Sequence, residues 1–292
     1  LVYPGAEHSR FVHSLGVFNV ARRMIRKLRH RHSGDTAGDS AIRNDLDQND
    51  RAIKAAALLH DLGHGPFSHL FERVIRESDK KVPKHDEWTC RLLRDAGTEV
   101  NVCLQRNGIA VDDVCSLISS NEPQPREPYL RDIVSSQLDA DRMDYLLRDS
   151  AMTGSRYGQF DFEWILNSLQ IAEPKVGQGK FKKLCLDASK GWGGIEGFLL
   201  ARLQMYNYVY GHKTTRAFEG ELTQTLRLAI RLAAQLPDDT PASVRLAFEN
   251  PTELTCKQYL MLDDEVMWWA IRRWASSEES SSGTERALRA SL

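Results

Sequence analysis

The sequence has no paired-cysteine motif. Its five cysteines, Cys90, Cys103, Cys115, Cys185 and Cys256, are odd in number and widely spaced. That spacing excludes a zinc–thiolate knuckle and argues against a disulfide framework; reduced thiols fit a cytoplasmic protein. No apolar run approaches the roughly 20 residues that span a bilayer, and no signal peptide is visible, so no membrane partner is expected. An excess of one charge is also missing. Lysine plus arginine number 39 and aspartate plus glutamate 40, a formal net charge of −1. That balance argues against coating of nucleic acid by charge alone, while leaving room for a local basic pocket. There is no internal repeat and no initiating methionine. The opening Leu1-Val2-Tyr3-Pro4 reads as a fragment with residues missing upstream.

What is present is a composition that builds a core: 41% hydrophobic and 27% charged residues over 292 positions. Helical spacing runs through His13–Leu28, Arg51–His60, His85–Ala96, Val111–Ser119, Leu138–Arg148 (ended near Gly154) and Phe160–Leu169. Pro66 suits the first turn of a helix through Phe67, Leu70, Phe71, Val74 and Ile75. The polar stretch Arg31–Asp50 reads as an exposed loop. Residues 171–187, centred on Gly177-Gln178-Gly179, read as a short β-hairpin. Gly194–Leu236 reads as long helix, broken at Pro237-Asp238-Asp239; Cys256–Trp274 contains more helix, and the tail Ser276–Ser282 is expected to fray. The expected class is mainly α with one hairpin, with a boundary near residue 190: residues 1–190 forming one domain and 191–292 a helical extension that completes the active site.

The sharpest chemical feature is His60-Asp61, at the end of an apolar helix. Neighbouring helical residues point about 100° apart, so both reach one metal only where the helix ends, and Gly63 and Gly65 permit that ending. His13 and Asp141 lie in two other helices. Two imidazoles and two carboxylates make a mixed N/O site suited to one divalent ion, Mn²⁺, Fe²⁺, Ni²⁺, Zn²⁺ or Mg²⁺. His64, His69 and His85 form a second group. Phosphoryl chemistry needs a proton donor and positive charge, and histidines supply both. Glu72, three residues after His69, shares its helical face and can orient an imidazole. Arg202 and Tyr210 are read on one face of one helix, with Lys213 adding charge.

Arg10-Phe11-Val12-His13-Ser14-Leu15-Gly16, the string His60 to His69, and Asp139-Ala140-Asp141-Arg142-Met143-Asp144-Tyr145 resemble the HD-domain phosphohydrolases. Within them the motifs are most similar to the deoxynucleoside triphosphate triphosphohydrolases, from about Tyr3 to about Glu219. The resemblance implies a helical HD bundle and a homo-oligomer, dimer or tetramer. It implies metal-dependent release of tripolyphosphate from a dNTP, with further Mg²⁺ accompanying the triphosphate. It matches His13, His60, Asp61 and Asp141 to metal ligands and His64, His69 and His85 to active-site histidines. His69 matches the general acid, with Glu72 as its carboxylate partner. Arg10, Arg142 and Arg202 match phosphate-binding positions. Tyr145 matches a tyrosine near phosphate and sugar, Asp149 the acceptor of the 3′-hydroxyl, and Tyr210 the ring that packs on deoxyribose; His212 and Lys213 complete that cluster. Val12 departs from the acidic residue of many relatives.

Other readings compete. One is a nucleoside monophosphate phosphatase or cyclic-dinucleotide phosphodiesterase on the same scaffold. Another is a nucleic-acid-binding or scaffold protein with a retained metal site, suggested by the basic stretch Arg22–His32. Trp268, Trp269 and Trp274, crowded near the C-terminus, are read as candidate oligomer anchors.

Overall fold

The computed structural model describes residues 2–173 and 181–276. Among these, fifteen α-helices and one two-stranded sheet follow in the order α1 (Arg10–Arg31), α2 (Ala37–Gln48), α3 (Asp50–Leu59), α4 (His69–Ser78), α5 (His85–Arg94), α6 (Glu99–Arg106), α7 (Val111–Ile118), α8 (Pro128–Asp132), α9 (Ala140–Thr153), α10 (Phe162–Ser168), β1 (Leu169–Ala172), β2 (Lys183–Leu186), α11 (Ala188–Gln204), α12 (Lys213–Arg231), α13 (Ala242–Glu249), α14 (Cys256–Tyr259) and α15 (Asp264–Ser276). None is long and apolar enough to cross a membrane. The chain divides into two compact units, each made of two segments: Leu1–Asp61 with Val102–His212, and Leu62–Asn101 with Lys213–Leu292. The division falls after Asp61, Asn101 and His212 instead of once near residue 190.

The first unit is organised by α1. Its buried Val17, Val20, Ala21, Met24, Ile25 and Leu28 recur at helical spacing and pack against α3 and α9. The buried side of α3 is built from small residues, Ala52, Ala56 and Ala57, around Ile53. Against α9 the spacing is tighter still: a Cβ on Gly16 would lie 1.9 Å from Asp144 Oδ1 and 2.2 Å from Arg148 Nη2. α9 starts on Asp139, whose side chain accepts from Arg142 N–H, and ends at Gly154 in the left-handed conformation, φ +70°. β1 and β2 pair antiparallel, Leu169 opposite Leu186 and Ala172 opposite Lys183. The turn Gly177-Gln178-Gly179 and the tail beyond Ser276 lie outside the described residues.

The loop expected over Arg31–Asp50 is instead mostly helix. Thr36 caps α2 by accepting from Asp39 N–H, and Ile42 and Leu46, one turn apart, are buried. Two apolar residues in a Gly/Ser/Asp-rich stretch give almost no periodic signal; packing against α1 and α3 supplies what propensity does not. The basic stretch of α1 is largely consumed within this unit. Arg23 pairs with Glu163, Lys27 donates to Asn167, Arg31 reaches Asp187 at 2.7 Å, and Arg29 pairs with Asp47 and Asp50. Arg22, Arg26 and His30 of the same stretch stay exposed.

In the second unit α4, α5, α12, α13, α14 and α15 enclose a core that includes Phe71, Val74, Trp88, Leu92, Leu226, Phe248 and Trp274. Trp88 and Tyr259 stack at 3.9 Å, and the Tyr259 hydroxyl donates to the Gly63 carbonyl at 2.7 Å. Trp274 is fully buried, its indole N–H on Thr240 Oγ1 at 3.1 Å, so this candidate anchor is a core residue. Trp268 and Trp269 are exposed.

Two further expectations change. Pro66 does not open the next helix. Phe67 and Ser68 come between, both left-handed (φ 54° and 57°), and α4 begins at His69. The long helix expected over Gly194–Leu236 is divided. α11 continues into a π-helical turn, Met205–Tyr210, and the chain breaks at Gly211-His212 before α12. A Cβ on Gly211 would lie 2.7 Å from the Tyr206 carbonyl oxygen, which explains the glycine.

Candidate functional site

In the first unit, His13 on α1, His60 at the end of α3, the adjoining Asp61 and Asp141 on α9 converge. His13 Nε2 lies 3.1 Å from Asp141 Oδ1 and 3.9 Å from Asp61 Oδ2. His60 Nε2 lies 3.4 Å from Asp61 Oδ1 and 3.6 Å from Asp141 Oδ1. The helix ends where it must for both members of the His60-Asp61 pair to point inward: α3 stops at Leu59. The glycines that follow do not use a left-handed backbone; among the glycines of the described residues only Gly108 and Gly154 do.

The outer nitrogens of both rings are fixed. His13 Nδ1 lies 2.8 Å from Asp144 Oδ2, and His60 Nδ1 lies 3.0 Å from the Ala57 carbonyl. A carboxylate and a carbonyl only accept, so each Nδ1 carries a hydrogen and each Nε2 is the nitrogen turned inward; His13 Nε2 there meets Asp141 Oδ1, and the proton between them stands where a metal ion could bind instead. Arg148 in turn holds Asp144 through Nε and Nη2 at 2.8 and 2.9 Å. This is the arrangement of histidines that serve as metal ligands, with the tautomer set from outside. The ligand atoms of His13, His60 and Asp141 all lie within 4.8 Å of one another, close enough for a divalent cation to gather.

The electrostatics point the same way. Burial alone pushes the His13 imidazole down, but bonds to Asp141 and Asp144 and the charge of Asp61 raise it to about 9. His60 is raised as well, burial opposing and Asp141 and Asp61 prevailing. Asp141, although burial pushes it up, is held well below the usual carboxylate range by the two imidazoles. The carboxylates hold protons on the two rings, and a divalent ion could replace those protons. Arg10, on the first turn of α1, donates to Asp61 Oδ2 at 2.8 Å and is 44% exposed in its side chain.

A second group in this unit surrounds Asp149. Tyr210 Oη donates to Asp149 Oδ2 at 2.7 Å, and His8 Nε2 lies 2.8 Å from Asp149 Oδ1. The Tyr145 ring lies 6.3 Å from that of Tyr210. Arg202 and Tyr210 are linked through Tyr206. The Arg202 guanidinium stands 5.7 Å from the Tyr206 ring centre, and Tyr206 meets Tyr210 edge-on at 5.3 Å. Arg202 also donates to Gln137 at 3.2 Å, and Arg142 is engaged by Asp139 and the Ser136 carbonyl. His212 meets the Tyr3 ring edge-on at 6.1 Å. Burial and the Asp149 carboxylate push the Tyr210 phenol far up, so it remains a donor.

The second unit gathers His64, His69 and His85. His64 stacks on His85 at 4.1 Å, and His69 stands edge-on to both, at 4.7 and 5.0 Å. Glu72 accepts from the His85 ring at 2.7 Å and from its backbone N–H at 3.2 Å, so the carboxylate expected to orient His69 orients His85. Burial raises Glu72, but the His85 bonds and the charges of His85 and His69 bring it down to about 2. Two local features place these rings. A Cβ on Gly63 would lie 2.1 Å from the His85 carbonyl and 2.3 Å from Thr89 N, so only glycine lets the segment before His64 approach α5. The left-handed Phe67-Ser68 step is held by Phe67 N–H donating to Asp264 at 2.7 Å and by the Phe67 ring against Trp268. Lys213 opens α12 in this unit and is exposed.

Sequence reasoning passed over His8, Asp144, Arg148 and Tyr206. Asp144 stood inside the quoted acidic run, three residues after Asp141, and Tyr206 in the run Tyr206-Asn207-Tyr208-Val209-Tyr210. His8 had no signal beyond its closeness to Arg10.

The HD domain family matches residues 10–149, the stretch that carries His13, His60, Asp61 and Asp141. Protein YwfO of Bacillus subtilis (strain 168) is 36% identical over 282 residues, covering 96% of this chain and 58% of its own. The deoxynucleoside triphosphate triphosphohydrolase SAMHD1 of Gallus gallus is 26% identical over 253 residues, 78% of this chain and 39% of its own. A phosphohydrolase from Bacteroides thetaiotaomicron, solved as a crystal structure, superposes with a TM-score of 0.71 at 30% identity, over 99% of this chain and 66% of its own. The chain therefore carries an HD domain and is similar to phosphohydrolases that carry one. It spans about half the length of the curated relatives it matches.

Proposed function

We propose that this protein hydrolyses deoxynucleoside triphosphates to deoxynucleoside and inorganic tripolyphosphate, using a divalent ion held by His13, His60, Asp61 and Asp141. The observation that carries the reading is that this ligand set shares its unit with a carboxylate–phenol pair, Asp149–Tyr210. The first suits a phosphoryl group and the second a sugar hydroxyl. The Gallus gallus relative is named for the same reaction.

A bound divalent ion supplies Lewis-acid polarisation of a phosphoryl oxygen. Asp144 and the Ala57 carbonyl keep the two imidazoles oriented for it. Arg10, Arg142 and Arg202, with Lys213, neutralise the triphosphate; Arg10 and Arg142 must exchange their present carboxylate partners for phosphate oxygens. Water attacks the α-phosphorus, and His69, three-way packed with His64 and His85, gives its proton to the departing 5′-oxygen as the P–O5′ bond breaks, so deoxynucleoside and whole tripolyphosphate leave. Asp149 accepts the 3′-hydroxyl, and the Tyr210 ring leaves no room for a 2′-hydroxyl. A buried 2′-hydroxyl without a partner costs about 1–3 kcal/mol, or roughly 5–150-fold in kcat/KM. We further place the enzyme in the cytoplasm, which its five free thiols suit, as a dimer or tetramer.

A product screen tests this. The four dNTPs and their ribonucleotides are offered to metal-loaded protein, and tripolyphosphate is separated from orthophosphate and pyrophosphate. Tripolyphosphate from dNTPs, well above NTPs, is expected. Orthophosphate from monophosphates, or opening of a cyclic dinucleotide, would replace the reading with the other chemistries of the scaffold.

A further inference from the structure

Asp149 is gripped from two sides by residues remote in the chain. His8 Nε2 is 2.8 Å from one carboxylate oxygen and Tyr210 Oη 2.7 Å from the other. The His8 and Asp149 side chains are about one-fifth exposed, at 19% and 20%. The carboxylate only accepts, so His8 Nε2 carries the hydrogen. His8 Nδ1 is buried and makes no protein hydrogen bond. A hydrogen there would be stranded, whereas an under-used acceptor is the smaller penalty. The ring therefore presents Nε2–H to Asp149 as its one hydrogen bond within the protein.

The segment that carries His8 is itself tied down. Tyr3 donates to the Tyr208 carbonyl at 3.0 Å and meets the His212 ring at 6.1 Å. Residues 3–8 thus join the π-helical turn, through Tyr3, to Asp149, through His8. An ionised carboxylate has about four acceptor directions. Two are filled here by donors on opposite oxygens, which restrains rotation of the carboxylate and leaves two acceptor directions unfilled by these donors.

We propose that His8 is a positioning residue that locks Asp149 as a preset acceptor for the 3′-hydroxyl of the sugar. The inference rests on the sugar-binding role given to Asp149 above. It adds a specificity determinant outside the HD motif, in the segment before α1.

The test compares substrates with and without that hydroxyl. His8→Ala should raise KM for dNTPs about 5- to 30-fold, the worth of roughly 1–2 kcal/mol, with kcat little changed. For 2′,3′-dideoxynucleoside triphosphates, which give Asp149 nothing to accept, KM should not move. His8→Gln, which can present an N–H at similar reach, should restore most of the dNTP preference, and His8→Leu should not. Equal losses on both substrate types, or rescue by His8→Leu, would reduce His8 to packing and overturn the proposal. Binding of a 2′-deoxynucleoside against its 2′,3′-dideoxy counterpart, measured by calorimetric titration, reads the same preference without turnover. Wild-type protein that binds the first more tightly, with the difference lost in His8→Ala, supports the proposal even if no triphosphate is cleaved. A wild type that binds both alike overturns it.

Discussion

The two ionisable clusters are made from nearly the same side chains and behave as opposites. In the first unit carboxylates outnumber imidazoles: Asp61, Asp141 and Asp144 surround His13 and His60, and the result is two rings forced toward the charged form. In the second unit three imidazoles surround one carboxylate, and the result is a Glu72 held at about 2. The first arrangement could hold a cation between rings and carboxylates; in the reading proposed above, the second supplies a proton to the leaving oxygen. The backbone supports differ as well. Gly16 makes room for the ends of two side chains, Gly63 for two backbone atoms. What a histidine does here is decided by the ratio of acids to rings around it and by which of its nitrogens is already spoken for.

The largest effect should separate the clusters by metal content. His60→Ala is expected to drop bound divalent metal from about one ion per chain to near zero by elemental analysis, while His69→Ala keeps it. His69→Ala should nevertheless lose about 10²–10⁴-fold in kcat, the usual scale for a general acid. Metal retained in His60→Ala, or lost in His69→Ala, would erase the distinction between the two clusters.

Next come the two glycines. Gly63→Ala drives a methyl into the His85 carbonyl and Thr89 N, which cannot retreat as side chains do; a loss of about 2–4 kcal/mol is expected, read as a lowered midpoint in urea. Gly16→Ala meets only Asp144 and Arg148 tips. It should cost about 1 kcal/mol but, by displacing the carboxylate behind His13, weaken metal affinity about 10–100-fold. If Gly16→Ala left metal affinity intact, Asp144 would not be the support that the geometry makes it.

The smallest effect is a pH dependence. Glu72 has a folded value of about 2 against an ordinary 4.5, so it favours the folded state fully above about pH 4.5 and loses that contribution as pH falls toward 2. Partial exposure screens the interaction, and about 1 kcal/mol is expected over that range. Urea titrations from pH 5 to pH 2.5 should show a shallower fall for Glu72→Gln than for wild type. Identical slopes would mean that His85 does not hold the carboxylate.

By itself the sequence determined the helical class, the strand pair, and the convergence of His13, His60, Asp61 and Asp141. Apolar spacing at 3.6 residues and short-range motif strings are local, and α1, α3 and α9 could be read from them. It missed α2, whose two buried apolar residues signal nothing until α1 and α3 lie against them. It placed Pro66 in a helix because two left-handed residues, Phe67 and Ser68, have no sequence signature. Only the tertiary structure decided that Glu72 serves His85, that Tyr206 joins Arg202 to Tyr210, that Trp274 is core, and that His8 reaches Asp149 across 141 positions. The physical reason is the same in each case. A hydrogen bond or ring contact acts over a few ångströms in space, and the spacing of residues along a chain carries no record of which distant segments folding will bring within that reach.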